Sequence, residues 1–393
     1  MSKGNTNHRD NAAISAGDRG QRDRIRVINV ISDSNVGGAG RMLLTFLKNF
    51  DRGEFDVSVV IPTGAALLPA LEELGVGIAT IDGLAERSLN LSIVNKLRKL
   101  FVREKPDIVH THASMSARIA AKAARCALIY TRHSVFANSK MKTRFPVRQL
   151  IGAVNNFLAD AVIAVSPAAM DMLVEAGQAK RKIHVIYNGV DAIGRLDSRG
   201  RDAERERYGI GGEDFVCGIF ARLTPVKGHE YVLDAAEMLK AAGGIKFVIA
   251  GTGEIEEELK LRASSAGLDN VIFTGFLPDA GKLMAAIDVQ LNASYGTEAT
   301  SLALLEGMSV GVPAIASSFG GNPYVVTDSV SGLIFPERDA EALAKAIMKL
   351  RDDKAVYSML SANAESSYNE RFTARRMTGE IEELYRLVRG KRR

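Results

Sequence analysis

The chain contains no tryptophan and only two cysteines in 393 residues. Cys126 and Cys217 stand far apart in apolar surroundings, so they read as buried, reduced thiols and not as a disulfide framework. No clustered metal-ligand pattern accompanies them, and no metal is expected. No apolar run approaches the roughly 18 residues that a membrane-spanning helix needs. The polar stretch Met1 to Gln21 lacks the apolar core of a signal peptide. A flexible tail over residues 1–22 and a cytoplasmic location are the expectations. Neither sign of charge is in large excess: 51 basic against 46 acidic residues leave +5. That balance argues against a dedicated nucleic-acid binder and is compatible with a small anionic partner. The GxGxxG dinucleotide pattern is missing after the first strand candidate, which disfavours a nicotinamide-dependent dehydrogenase.

What is present is a soluble-protein composition, 46% apolar and 25% charged, in a chain too long for one ordinary core. Near-continuous apolar runs alternate with helical patterns throughout. Arg26–Ile31, Phe55–Ile61, Gly77–Ile81, Asp107–His110, Leu128–Arg132, Asp160–Val165 and Ile183–Tyr187 read as strands in the first half. Phe215–Phe220, Lys246–Ala250, Val271–Thr274, the run ending at Asn292 and Ala314–Ala316 do so in the second. Such alternation predicts an α/β chain with parallel sheets covered by helices. Residues 23–190 form one expected domain and 191–373 a second, facing it. A last amphipathic helix over 374–393 is expected to return to the first domain.

The densest chemistry lies between Asp288 and Ala316. A strand there ends in a small polar loop, and a helix begins near Ser301. Glu298 sits in the loop and Glu306 in the helix, with seven residues between them. Glu306 follows Leu304 and Leu305 on an otherwise apolar helix, where a carboxylate is costly unless it is paired or meets a ligand. The junction at Thr300, Ser301 and Leu302 offers backbone donors suited to a phosphate.

In parallel sheets, ligands bind beyond the carboxyl ends of strands. Polar exits therefore mark further candidates. The turn Gly37–Gly40 follows the first strand. It serves either tight helix–strand packing or approach to a ligand, with Gly38 and Gly40 as the candidates. His112 and His133 end two strands. His110 reads as structural, His112 as exposed at the edge, and His133 either as structural or as a donor to a phosphate or sugar hydroxyl. Arg222 and Lys227 share the loop after Phe215–Phe220, where two cations can neutralise a diphosphate. Gly251 and Gly253 flank Thr252 in a tight turn suited to a base or ribose. Cations for phosphates together with acids for hydroxyls favour a nucleotide-sugar. The segment Asn138–Leu150 interleaves Lys140, Lys142, Arg144 and Arg148 with apolar residues. It is either a solvated loop and helix or a patch for an acceptor or a membrane surface.

Taken in order, the Gly37–Gly40 turn, the Arg222…Lys227–Gly228 loop, the Gly251–Thr252–Gly253 turn, the Glu298…Glu306 pair and the Gly320–Gly321 turn resemble the retaining GT-B glycosyltransferases of family 4. The resemblance spans about Arg24 to Leu387. It implies two facing Rossmann-like domains with an interdomain cleft. It also implies a UDP-, GDP- or ADP-sugar donor, a saccharide or lipid-linked acceptor, and no cofactor. By the same resemblance Arg222 and Lys227 bind the diphosphate, Glu306 the ribose and Glu298 the transferred sugar, while His133 lies close to that sugar. Bacterial relatives build lipopolysaccharide, capsule or exopolysaccharide, and a peripheral site on the inner membrane face, as monomer or homodimer, fits them. The chain departs from the commoner pattern at Ala299, Thr300 and Ser301, and at Tyr324. Two alternatives stay open: a GT-B sugar-nucleotide epimerase, and a non-catalytic sugar-nucleotide-binding protein.

Overall fold

Strands without polar–apolar alternation must be covered on both faces, and the structure covers them. The computed structural model describes residues 14, 24–85, 89–112, 114–136 and 144–391. The expected tail, Ile14 excepted, and Lys140 and Lys142 of the basic segment lie outside the described residues.

The strands are β1 (Ile25–Ile31), β2 (Phe55–Pro62), β3 (Gly77–Ile81), β4 (Ile108–His112), β5 (Ala127–Arg132), β6 (Ala161–Ala164) and β7 (Ile183–Val185), then β8 (Phe215–Phe220), β9 (Ile245–Ala250), β10 (Val271–Gly275), β11 (Val289–Asn292), β12 (Ala314–Ser317) and β13 (Gly332–Phe335). They build two separate parallel sheets, in the orders β3-β2-β1-β4-β5-β6-β7 and β10-β9-β8-β11-β12-β13. Each order reverses direction beside its first strand, between β1 and β4 and between β8 and β11. A crevice opens at such a switch point because the two neighbouring connections leave toward opposite faces. The loops that the sequence singled out, Arg222–Lys227 and Ser294–Ser301, follow β8 and β11 at that point of the second sheet.

Successive side chains of one strand serve opposite cores. Val27 and Ile31 of β1 pack with Met42, Phe46 and Leu47 of the helix Gly38–Asn49. Ile28 and Val30 of the same strand pack with Leu97, Phe101 and Ala117 on the other face. The second sheet repeats the scheme, with Cys217, Ile219, Phe247 and Ile249 against Val232, Leu233 and Ile347. Both cysteines are buried free thiols.

The helix Ala374–Gly390 joins the first core, not the second. Its Met377, Ile381, Leu384, Tyr385 and Val388 lie among the side chains of β1, β4 and β5. The chain crosses between the sheets twice, and the crossings pair: Val190 N–H donates to Phe372 O at 3.0 Å, and Ala374 N–H donates to Val190 O at 2.9 Å. The charged connector after Asp191 is tied to the second sheet. Its helix Ser198–Glu206 carries Arg205, which is buried and donates to Asp288 Oδ2 at 2.7 Å and to Ala286 O at 2.8 Å. The helix of the basic segment runs Val147–Leu158, well past the Leu150 at which the sequence pattern ended.

Candidate active site

Three loops converge at the crevice of the second sheet. A left-handed Gly228 ends the loop after β8, and a Cβ there would lie 2.1 Å from Ala293 O. The Arg222–Lys227 loop is therefore pressed against the end of β11. Gly320 and Gly321 brace the acidic loop from behind in the same way, since Cβ atoms there would meet Glu298 O and Ala299 O at 2.2 and 1.7 Å. The result is a cleft of about 600 Å³. One wall holds Arg222, Lys227, Asn292, Glu298 and Thr300 from the second half, and the other holds Asp33, Asn35, Gly38 and Arg41 from the first.

Inside it, Lys227 Nζ donates to Glu298 Oε2 at 2.8 Å. The same oxygen accepts from Asn292 Nδ2 and Ser294 Oγ, each at 3.3 Å. Glu298 is buried, so those three donors replace its lost water. Glu306 faces an adjoining compartment of about 510 Å³, with Gly251, Thr252, Phe276 and Leu277 among its lining. Arg41 and Arg222 border both spaces. The Glu306 carboxylate is met from the other half by Arg41 Nη2. Burial pushes the Glu306 carboxyl above the usual range, and Arg41 opposes that rise. The two acids thus stand at two successive compartments of one cleft. Thr300 also spans the halves, its hydroxyl donating to Val165 O at 2.7 Å. Ser301 caps the helix Leu302–Met308, and both residues line the larger compartment.

The glycines divide. Gly38 is open to the cleft and opens the helix Gly38–Asn49. Gly40 lies in its first turn, facing Leu67, so it serves packing and not ligand approach. Gly251 borders the Glu306 compartment, and Gly253 lies against Leu223 O.

The histidines require correction. His112, expected at an exposed edge, is buried. Its Nε2–H donates to Asn29 Oδ1 at 3.1 Å, which leaves Nδ1 as an acceptor for His133 Nε2–H at 2.8 Å. His133 Nδ1 is then a bare lone pair, buried without a partner. Burial, with Arg132 adding to it, holds the His133 imidazole down to about 4. Neutral and in this tautomer, its Nδ1 accepts and cannot donate, so it suits a hydroxyl and not a phosphate. His133 lies just past β5 and lines neither compartment. His110 is structural, bridging Tyr385 OH at 2.7 Å and Thr131 Oγ1 at 2.6 Å.

Asp33, Arg41, Phe276, Gln290 and Asn292 were not singled out in the sequence as site residues, yet all border the cleft. Phe276 follows β10 directly, so the strand-exit rule that found Arg222 would have found it too. Arg41 carries no such mark, being one basic residue in the first turns of an amphipathic helix. Among the described residues, no group of three or more His, Cys, Asp or Glu is placed to hold a metal ion.

Known proteins resemble this chain in sequence and fold. The Glycosyl transferases group 1 family matches over residues 200–367, and Glycosyltransferase Family 4 matches over residues 36–192. The chain is a GT-B glycosyltransferase. This glycosyltransferase is similar to the UDP-Gal:alpha-D-GlcNAc-diphosphoundecaprenol alpha-1,3-galactosyltransferase of Escherichia coli, at 26% identity over 92% of this chain and 97% of that one. Its fold matches HepE of Anabaena, solved in complex with UDP, with a TM-score of 0.80, 24% identity, and coverage of 91% and 99% of the two chains. A glycosyltransferase from Rickettsia africae matches with a TM-score of 0.79 at 18% identity, covering 93% and 99%.

Proposed function

We propose that this enzyme is a retaining family 4 transferase that moves a sugar from UDP-sugar to a lipid-linked saccharide during bacterial surface-polysaccharide assembly. Residues 23–190 with the helix that closes the chain would carry the acceptor, and residues 191–373 the donor. It would work in the cytoplasm, at the inner membrane face. The observation that carries the reading is the Lys227–Glu298 pair beside Arg222, with Glu306 in the next compartment. Cations and carboxylates alternate there, as the phosphates and hydroxyls of a nucleotide-sugar alternate. HepE was solved with UDP, and the Escherichia coli relative acts on a diphosphoundecaprenol-linked sugar; both facts favour this donor and acceptor.

In the reaction, the bond from the anomeric carbon to the diphosphate oxygen breaks and a bond to the acceptor oxygen forms on the same face. The acceptor proton passes to the departing phosphate oxygen. Arg222 and Lys227 neutralise the charge that grows on the diphosphate, which is where fixed cations in a partly dry cleft contribute most. Glu298 accepts from hydroxyls of the transferred sugar and Glu306 from the ribose. Gly38, Gly251, Thr300, Ser301 and Leu302 bring backbone close to the donor.

Purified protein incubated with UDP-, GDP- or ADP-sugars and a membrane lipid extract tests this. Free UDP should appear together with an elongated lipid-linked saccharide. UDP release with an epimerised sugar and no elongated product, or binding without turnover, would overturn the reading.

A further inference from the structure

Away from the cleft, beside Tyr130 and Arg132 of β5, lies a cavity of about 580 Å³ lined by the helices Met115–Ala123, Val147–Leu158 and Pro167–Glu175. Its lining is mostly apolar, with Phe136, Leu150, Val154 and Met172, yet two guanidinium groups enter it. Arg118 is 5% exposed and lies over the Tyr130 ring at 4.6 Å. It donates from Nη2 to Asn155 Oδ1 at 3.0 Å, and its Nε is buried without a partner. Arg132 donates from Nε to Ser134 O at 3.1 Å and from Nη1 to Tyr130 OH at 3.3 Å. Neither arginine meets a carboxylate among the described residues. Arg118 is a buried cation without a counter-ion, which is costly, and Arg132 beside it is half-buried over the Phe136 ring, so the cavity is suited to an anion that arrives from outside.

The rim gives the rest of the ligand. Leu150, Val154 and Phe157 recur at helical spacing on Val147–Leu158 and are 67%, 43% and 68% exposed. A row of large apolar side chains turned outward beside a cationic cavity fits an amphiphile, with its charge inside and its hydrocarbon along the helix. Arg132 stands at the carboxyl end of β5 and directly precedes His133.

We propose that Arg118 and Arg132 bind the phosphate of a lipid-linked acceptor, whose hydrocarbon lies along Leu150, Val154 and Phe157. The inference rests on the lipid-linked acceptor proposed above and assigns it a place. Titration calorimetry of the full chain with farnesyl phosphate, farnesol and inorganic phosphate tests it, with no donor present. Farnesyl phosphate should bind at least tenfold more tightly than either fragment, and equally well to Lys227→Met, which removes a cation of the cleft. Arg132→Gln and the surface variant Leu150→Ser should each weaken it at least tenfold while melting as the parent does, so that the outcome does not depend on the deeply buried Arg118. Equal affinity for inorganic phosphate, or binding untouched by both variants, would overturn the proposal. Because no donor is used, such a failure removes the groove alone; the lipid-linked acceptor itself stands or falls by the transfer assay.

Discussion

The carboxyl edges of the two sheets share a topology and are used in opposite ways. At the second sheet, β8 and β11 end in charged side chains that face a cleft, Lys227 and Glu298 among them. At the first sheet, β4 and β5 end in imidazoles, linked to Asn29, Thr131 and Tyr385 and held neutral by burial. One edge turns its charges into a cleft, where they pair with one another and can exchange those partners for a ligand. At β4 and β5 the other has turned its polar groups into internal scaffolding, with one lone pair left over at His133 Nδ1. A Rossmann-like sheet therefore supplies a place for chemistry, and the loop residues decide whether that place is spent on ligand or on structure.

The sharpest way to break this contrast is Lys227→Met. Activity should fall by about 10²–10³-fold in kcat/KM, the range for removing one fixed group that stabilises growing negative charge. Some stability should go with it, because Glu298 keeps only Asn292 and Ser294. Lys227→Met with Glu298→Gln should recover the melting temperature and leave activity lost. Near-parental kcat/KM in the single variant would show that the second edge, too, is structural.

Acid is the next lever. Burial depresses His133 to about 4 and His110 to about 3, well under the unfolded value of about 6.5. The unfolded chain then binds more protons over that interval. The stability these imidazoles contribute is complete above pH 6.5 and drains away as pH falls through 4, on the order of 3 kcal/mol for His133 alone. His229 in the second half, also near 4, adds the same sign. Thermal melts should be flat near neutrality and drop toward pH 4. Hydrogen exchange in that range should expose β4 and β5 before β8 and β11, and the reverse order would undo the contrast.

A smaller effect isolates the scaffold itself. Tyr385→Phe deletes the hydroxyl that meets His110 at 2.7 Å and should cost about 1–3 kcal/mol by denaturant titration. Its kcat/KM should stay near the parental value. A large loss of activity with little loss of stability would move the first edge into the catalytic machinery.

Much of this was legible in the sequence, for identifiable reasons. Strands such as Gly77–Ile81 and Phe215–Phe220 were bounded by glycine, acidic and polar residues, so their ends could be read directly. The strand-exit rule placed Arg222, Lys227, Glu298 and Thr300 together because parallel sheets put every such exit on one edge. Glu306 showed itself as a charge among leucines. Arg41 was hidden, since its partner lies 265 positions away and nothing local distinguishes a bridging arginine from a solvated one. The burial of His112 was hidden for a related reason: it depends on Asn29 from the neighbouring strand β1. The sequence carried the basic segment only to Leu150, as a solvated loop and helix or a patch for an acceptor or membrane surface, and only the fold shows Val154 and Phe157 exposed on the same helix as Leu150.

The pairing of Tyr385 with His110 also sets a timetable. His110 lies on a strand made early in translation, and its partner is synthesised 275 positions later, after the whole second sheet. Domains usually form as units while the chain is still emerging from the ribosome. Here the first sheet must wait, with one face short of Met377, Ile381, Leu384 and Tyr385, until the second is already made. The half of the molecule that begins first is thus the half that finishes last, and a chain interrupted before residue 374 would expose the unfinished face of its earlier sheet.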